Sequence, residues 1–263
     1  MKKENAEYNV RAIERALQIL DAFDPRHPDL GLTEIAQRVG LHKATTHRIV
    51  ATLLNSGYLD KCPDGQKFRL GLHLAGLGSL VTSQMNVRRD SLPYMQKLCE
   101  KFKEACDLCI LDDGEVLYVE VLRSNHALNI AAAVGQRLPL HCTASGKIFL
   151  AHMAPEQRDK YLTPPLKAFT AHTITSIAQL QKQFAAILKD GYAMDDEELE
   201  VGIRAISAPV FDQEGKVVAA VSIPSPTSRM SDERIALVKA GLLETAAQCS
   251  RSQGWADNSN FRF

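Results

Sequence analysis

LTEIAQRVGLHKATTHRIVATLLNSGYL, residues 32–59, decides how the first part of the chain is read. Two helical patterns flank a glycine. In the first, Ile35, Ala36 and Val39 share one side, Thr33 offers an N-cap hydroxyl, and Glu34 suits the positive end of the helix dipole. Gly40 supplies a turn that a residue with a β-carbon would resist. The second helix runs from about His42 to Asn55. At 100° per residue, Thr46, Ile49, Val50, Leu53 and Leu54 cluster on one side. Ala44, Arg48, Ala51 and Asn55 face the other way, with Thr45 and His47 on the flanks.

Upstream, Ile13, Leu17, Leu20 and Phe23 recur at helical spacing from Val10 to Phe23, and Pro25 and Pro28 stop that helix. Downstream, Tyr58 to Cys62 and Gln66 to Leu70 alternate around Pro63-Asp64-Gly65, which predicts a hairpin with Phe68 and Leu70 inward and Lys67 and Arg69 outward. Helix, short helix, glycine turn, helix and hairpin make the pattern of a winged helix-turn-helix. A helix fits the major groove, and its first residues meet base edges. Arg48 suits a guanine edge, and Thr45 a base or phosphate. Lys43, with the free amides of the first turn, suits phosphate. Lys61, Lys67 and Arg69 on the wing would follow the sugar-phosphate backbone. Thr33, Ala44, Thr46 and His47 complete the expected DNA-facing set.

The charge distribution agrees. The 263 residues hold 31 Lys and Arg against 31 Asp and Glu, so the formal net charge is zero. Between Arg38 and His73, six basic residues stand against two acidic ones. Such a local excess is what an anionic duplex requires. The bland reading is a small helical bundle with a solvated polar face.

The remainder changes texture. Leu74, Leu77 and Val81 predict a helix leading away from the module, weakened by Gly71, Gly76 and Gly78 and in need of a partner. Pro93 is read as opening a further helix. Strands are expected at Cys106–Leu111, Glu115–Leu122 and, more loosely, Leu128–Ala133. Helices follow at about Ser145–His152, Ile177–Lys189 and Asp232–Cys249, with strands at Arg204–Phe211 and Val217–Ile223. This order predicts an α+β chain whose second domain holds a largely antiparallel sheet. The expected division is a DNA-binding domain over 1–73, a linker helix over 74–90, an effector domain over 91–255 and a polar tail over 256–263.

Other chemistries are poorly supported. The six cysteines are sparse for a disulfide scaffold. Cys106 and Cys109 form a Cys-x-x-Cys, but residues three apart on a strand face opposite ways, and no second pair completes a zinc site. Neither a cofactor nor a metal is expected. A nucleophile at Ser145 would need His141 or Lys147 as its base, and spacing shows neither. No apolar run approaches a membrane span and no apolar signal core opens the chain, so a cytoplasmic protein is expected. The rival to a regulator is a metabolite-processing enzyme with an accessory helix-turn-helix module; a sensor that binds protein rather than DNA is a third reading.

Three further stretches carry a resemblance: GQRLPLHCTASGKIFLA (135–151), GYAMDDEELEVGIRAISAPVFD (191–212) and AAVSIP (219–224). With residues 32–59 they make the chain similar, over nearly its whole length, to the IclR family of bacterial transcriptional regulators. The resemblance implies a winged-helix N-terminal domain, a linking helix and a GAF-like effector domain. It implies homodimers that pair into tetramers, an operator duplex as partner, and a small organic acid as effector. Repression is favoured over activation. By motif matching, the effector pocket is expected to include Leu128, Ala144, Ser145, Gly146, Asp195, Ile203, Ala205, Ser222 and Pro224. The start of the helix near Ser145 has a rationale of its own, since free amides at a helix N-terminus suit a carboxylate. Ala205 and Pro224 stand where some relatives carry Cys and Ser, which favours an effector larger or more apolar than glyoxylate. The acids from Asp195 to Glu200 would otherwise read as a solvated turn, and Lys147 as a salt-bridge or surface residue.

Overall fold

The computed structural model describes residues 10–24, 26–124, 126, 130 and 132–256. The chain divides into two compact units, 1–84 and 85–263, and the expected linker, 74–90, spans the division.

In the first unit, α1 (Arg11–Asp21), α2 (Leu32–Arg38) and α3 (Lys43–Asn55) pack with a three-stranded sheet ordered β1 (Leu30–Gly31), β3 (Lys67–Leu70), β2 (Leu59–Lys61). Ile19, Leu30, Ile35, Val50, Leu53, Leu59 and Phe68 form its core. Full burial of each such side chain contributes about 1.5–3 kcal/mol. Gly40 turns α2 into α3 at φ +65°, as expected. Two details differ from the sequence reading. The cap of α2 is Gly31 rather than Thr33, because β1 draws Leu30 and Gly31 onto β3 and the Gly31 N–H donates to Glu34 at 2.6 Å. Leu70 is 44 % exposed rather than inward; it is the last residue of its strand and only Phe68 reaches the core. The helix after the wing, α4 (Leu72–Ser83), has no buried residue.

The second unit is a six-stranded antiparallel sheet ordered β6 (Arg137–Pro139), β5 (Glu115–Leu122), β4 (Cys106–Asp112), β9 (Val217–Pro226), β8 (Ile203–Phe211), β7 (Ala193–Asp196). On one face lie α5 (Asn86–Phe102) and α9 (Asp232–Ser252), packed on Cys106, Leu108, Ile206, Ala208 and Val221. The other face carries Cys109, Tyr118, Ala193 and Ala220 against α6 (Ala144–His152), with α8 (Ile177–Asp190) beyond it. A short helix, α7 (Pro155–Arg158), follows α6. Cys106 and Cys109 therefore sit in opposite cores, as the two-residue period of a strand requires.

Pro93 does not open α5 but lies inside it. The buried stripe Ser91, Met95, Leu98 and Phe102 runs through the proline, so packing against the sheet outweighs the roughly 3 kcal/mol that an interior proline costs. The strand expected at Leu128–Ala133 falls largely outside the described residues, as do Pro25 and the tail from Asp257.

Candidate functional sites: an exposed helix face and a cavity

Thr46, Val50 and Leu53 root α3 in the core. Thr46 is fully buried and donates its hydroxyl to the His42 carbonyl at 3.2 Å. It therefore braces the first turn of α3 and does not reach the outer surface. Lys43, Ala44, His47 and Arg48 are exposed and Thr45 is half-buried, on the side away from the core. Thr33 is exposed on α2, as are Lys61, Lys67 and Arg69 on the wing. Across the strand pair Arg69 stands opposite Asp60 and Lys61 opposite Phe68. Arg38 is already engaged, donating to the Ala22 carbonyl at 2.9 Å and to Asp24 at 3.2 Å. Sequence reasoning passed over Arg15, which joins Thr45, His47, Arg48 and Thr52 around a groove between α1 and α3. Helical periodicity could have placed it near α3 only if the α1–α3 packing were known.

In the second unit, a cavity of about 140 Å³ lies where α6 starts over the sheet. Ala144, Ser145, Asp195, Ile203, Ala205, Ser222 and Pro224 all line it, with Asp107, Tyr118, Gln136, Thr143 and Glu200 among the further lining residues. Register explains the gathering. Pro224 faces Ala205, and Ala205 faces Asp195; directly opposed residues of antiparallel strands share a face. Ser222 occupies the neighbouring row, opposite Asp107 on one side and Ser207 on the other. The start of α6 completes the wall. Thr143 caps it by accepting from the Gly146 N–H at 3.1 Å. The Ala144 and Ser145 amides have no partner within the helix and belong to residues lining the cavity.

Gly146 itself is not among the lining residues. A β-carbon there would lie 2.2 Å from the Leu140 carbonyl oxygen, so its role is to let α6 touch the segment before it. Leu128 lies outside the described residues.

The acidic turn is not solvated where it matters. Asp195 and Glu198 are buried. The Asp195 carboxylate accepts from the Glu198 N–H at 2.8 Å, and burial pushes its pKa up to about 7. Lys147, expected as a salt-bridge or surface residue, is completely buried; it pairs with Glu198 and donates to Gln183 Oε1 at 3.0 Å. Ser145 Oγ lies 3.0 Å from Ser207 Oγ, while His141 Nε2 engages the Lys167 carbonyl at 2.9 Å. Neither expected base is therefore delivered to Ser145. Arg204 is held by Asp196 and Asp232.

Asp107 is the residue that sequence reasoning missed. It is 1 % exposed, and burial raises its pKa to about 8. It sits inside the Cys-x-x-Cys, between two buried thiols. Its place beside Ser222 is set by a strand pairing that the sequence does not display.

A winged helix-turn-helix joined in one chain to a domain with a small cavity lined by both polar and apolar residues is the make-up of a transcriptional regulator. The chain belongs to the IclR family: the IclR helix-turn-helix domain matches residues 12–63, and the bacterial transcriptional regulator IclR C-terminal domain matches residues 79–251. It is 33 % identical to the HTH-type transcriptional regulator XynR of Escherichia coli, over 94 % of this chain and 98 % of that one. It is 31 % identical to the transcriptional repressor IclR of the same organism, over 93 % and 90 %. Among solved structures, the IclR regulator of Alicyclobacillus acidocaldarius superposes with a TM-score of 0.84 at 28 % identity, covering 94 % of this chain and all of that one. An IclR homologue of Microbacterium hydrocarbonoxydans complexed with 4-hydroxybenzoate superposes with a TM-score of 0.82 at 28 % identity, covering 92 % and 99 %. These relatives are regulators, not enzymes. No helix among the described residues is long and apolar enough to cross a membrane.

Proposed function

We propose that the protein is a ligand-responsive repressor of a catabolic operon, gripping operator DNA through α3 and the wing and sensing a small organic acid in the cavity at the start of α6. The observation that carries this reading is the cavity itself. The first residues of α6, whose amides have no partner within the helix, line a cavity of about 140 Å³, and such amides favour a carboxylate. Two facts about relatives support it: one is named a repressor, and one is a complex with an aromatic acid. A homodimer, or a pair of dimers, is the expected assembly, because two recognition helices match two half-sites about one DNA turn apart. Effector control then requires only that the acid bind one arrangement of the assembly better than another.

The test is a titration of the protein against the duplex upstream of its own gene, over a range of salt and with a panel of organic acids. Specific binding that weakens steeply with salt, and that at least one acid shifts, is the expected result. Ser145→Trp fills the cavity and is expected to abolish the acid response while sparing DNA affinity. Equal affinity for random duplex, with or without acids, overturns the proposal.

A further inference from the structure

Asp107 lines the effector cavity, and its Oδ1 is buried with no hydrogen-bond partner among the described residues. The sheet fixes its address. Asp107 lies opposite Ser222, Ser222 lies opposite Ser207, and Ser207 Oγ is 3.0 Å from Ser145 Oγ at the start of α6. One cross-strand row thus leads from the helix N-terminus to an unpartnered carboxyl group, two strand spacings or about 10 Å across the sheet. The hydroxyls between have committed their protons. Ser207 donates to the Val221 carbonyl at 2.9 Å, so the Ser145 hydroxyl is the donor to Ser207. Ser222 donates to the Ile206 carbonyl at 3.3 Å. Ser145 and Ser222 line the cavity, and a hydroxyl oxygen that has given up its proton to another partner can still accept. Donors collect at the helix end, acceptors follow along the row, and Asp107 stands at the far end.

We propose that Asp107 is a specificity-determining residue that hydrogen-bonds a hydroxyl group of the effector, so that the molecule sensed is a carboxylic acid bearing a hydroxyl remote from its carboxylate. The inference rests on the reading of the cavity as an organic-acid site and narrows it. The carboxylate occupies the Ala144 and Ser145 amides, and the hydroxyl reaches Asp107. With its pKa raised to about 8 by burial, Asp107 is mostly a neutral acid near pH 7, donating and accepting as the hydroxyl it meets does. An ammonium group in that place only donates, and it carries the larger dehydration cost of a charge into the cavity. An acid without the hydroxyl leaves Asp107 dry and unpaired, the situation in which polar sites reject analogues most strongly.

Calorimetric titration of the full-length protein tests this with two matched series. One comprises pentanoate, 5-hydroxypentanoate, a pentonate and 5-aminopentanoate; the other, benzoate and 4-hydroxybenzoate. In at least one series a hydroxylated acid is expected to bind about tenfold or more tightly than its parent. Asp107→Leu and Asp107→Ala, each checked for folding by thermal unfolding, are expected to remove that preference, binding the parent and the hydroxylated acid within about threefold of each other. The pair guards against failure of one variant to fold. The proposal is overturned if the preference survives either folded variant, if no hydroxylated acid is preferred, or if 5-aminopentanoate binds better than 5-hydroxypentanoate. In those cases, acid binding that Ser145→Trp abolishes leaves the organic-acid reading standing. If no acid in either series binds, that reading falls, and the role of Asp107 with it.

Discussion

Lys147 on α6 and Glu198 in the turn after β7 form an ion pair in which the lysine has no solvent exposure and the carboxylate almost none. One carboxylate oxygen meets the ammonium group; the other, Oε2, is buried without a partner among the described residues. The pair ties the helix that opens on the cavity to the turn whose Glu198 amide donates to Asp195. Removing one partner leaves the other charge stranded in a dry interior. Lys147→Met is therefore expected to cost about 3–5 kcal/mol of stability. Lys147→Met combined with Glu198→Leu should recover most of the loss, since an apolar pair strands no charge. Urea denaturation of the single and double variants makes the comparison, and a double variant no more stable than the single would contradict it.

Asp107 gives stability a pH dependence of definite sign. Burial raises its folded-state pKa from 3.8 to about 8, so above pH 4 the folded protein keeps a proton that the unfolded chain releases. This contribution to stability is full below pH 4 and is lost as pH rises through about 8. Cys99, Cys106, Cys109 and Tyr118 are titratable neighbours that share its field. Asp107→Asn carries no such proton. It should gain on the wild type across this window, by a few kcal/mol, or roughly 1.4 per pH unit at most. Urea midpoints at pH 5 and pH 8 measure the gap, which must widen with pH.

Gly146 illustrates how a matched motif can be right about a position and wrong about its purpose. A methyl group at Gly146 would sit 2.2 Å from the Leu140 carbonyl oxygen and 2.4 Å from its Cα. Both are backbone atoms of a buried residue and cannot turn aside. Gly146→Ala is expected to lower stability by at least about 3 kcal/mol, at the upper end of what overpacking costs. Thermal unfolding reads it; a variant within 1 kcal/mol of the parent would mean that the segment before α6 yields.

What the sequence displayed follows from the range of the forces involved. The wing turned where Pro63-Asp64-Gly65 said it would, and α8 ended at Gly191, because turn and cap chemistry are local. The pocket positions from Ala144 to Pro224 came from motif resemblance, and antiparallel register then laid them side by side. The misses share another cause. Gly31 displaced Thr33 as a cap because a distant strand pulled it extended. Pro93 was overridden by a buried stripe. Asp107 became a cavity residue through a partner, Ser222, more than a hundred residues away. Each depends on tertiary pairing that no local window contains.

On the proposed operator side, exposure separates residues free to meet DNA from those that hold the helix in the core. Arg48 stands free on α3, and Arg48→Ala should cost about 1–3 kcal/mol of specific binding and relax sequence preference. Lys61→Ala and Lys67→Ala should weaken binding to all duplexes alike, each lowering the salt slope by about one. Thr46→Ala touches only the interior and should change stability more than operator affinity. Fluorescence anisotropy with specific and scrambled duplexes at several salt concentrations separates the three behaviours. An Arg48→Ala protein with unchanged preference would move base reading elsewhere on the helix.

The apolar residues of α4 have no cover among the described residues. Leu72, Leu77, Leu80 and Val81 are each at least 40 % exposed, and no residue of the helix is buried. Gly76 and Gly78 further weaken it by about 1 kcal/mol each relative to alanine, so α4 has little to hold it as an isolated helix. Val10, Ile13 and Leu17 expose a second apolar stripe on α1 in the same unit. In the proposed dimer, burying such faces against a second copy would supply the missing stabilisation and bring two recognition helices together. Leu77→Glu with Leu80→Glu places charge on that surface and should shift the assembly toward monomer in light scattering. Operator affinity should fall at least tenfold, because a monomer engages one half-site. A double variant that keeps its oligomeric mass would remove α4 from the interface, and a monomer with undiminished affinity would break the link between assembly and operator binding.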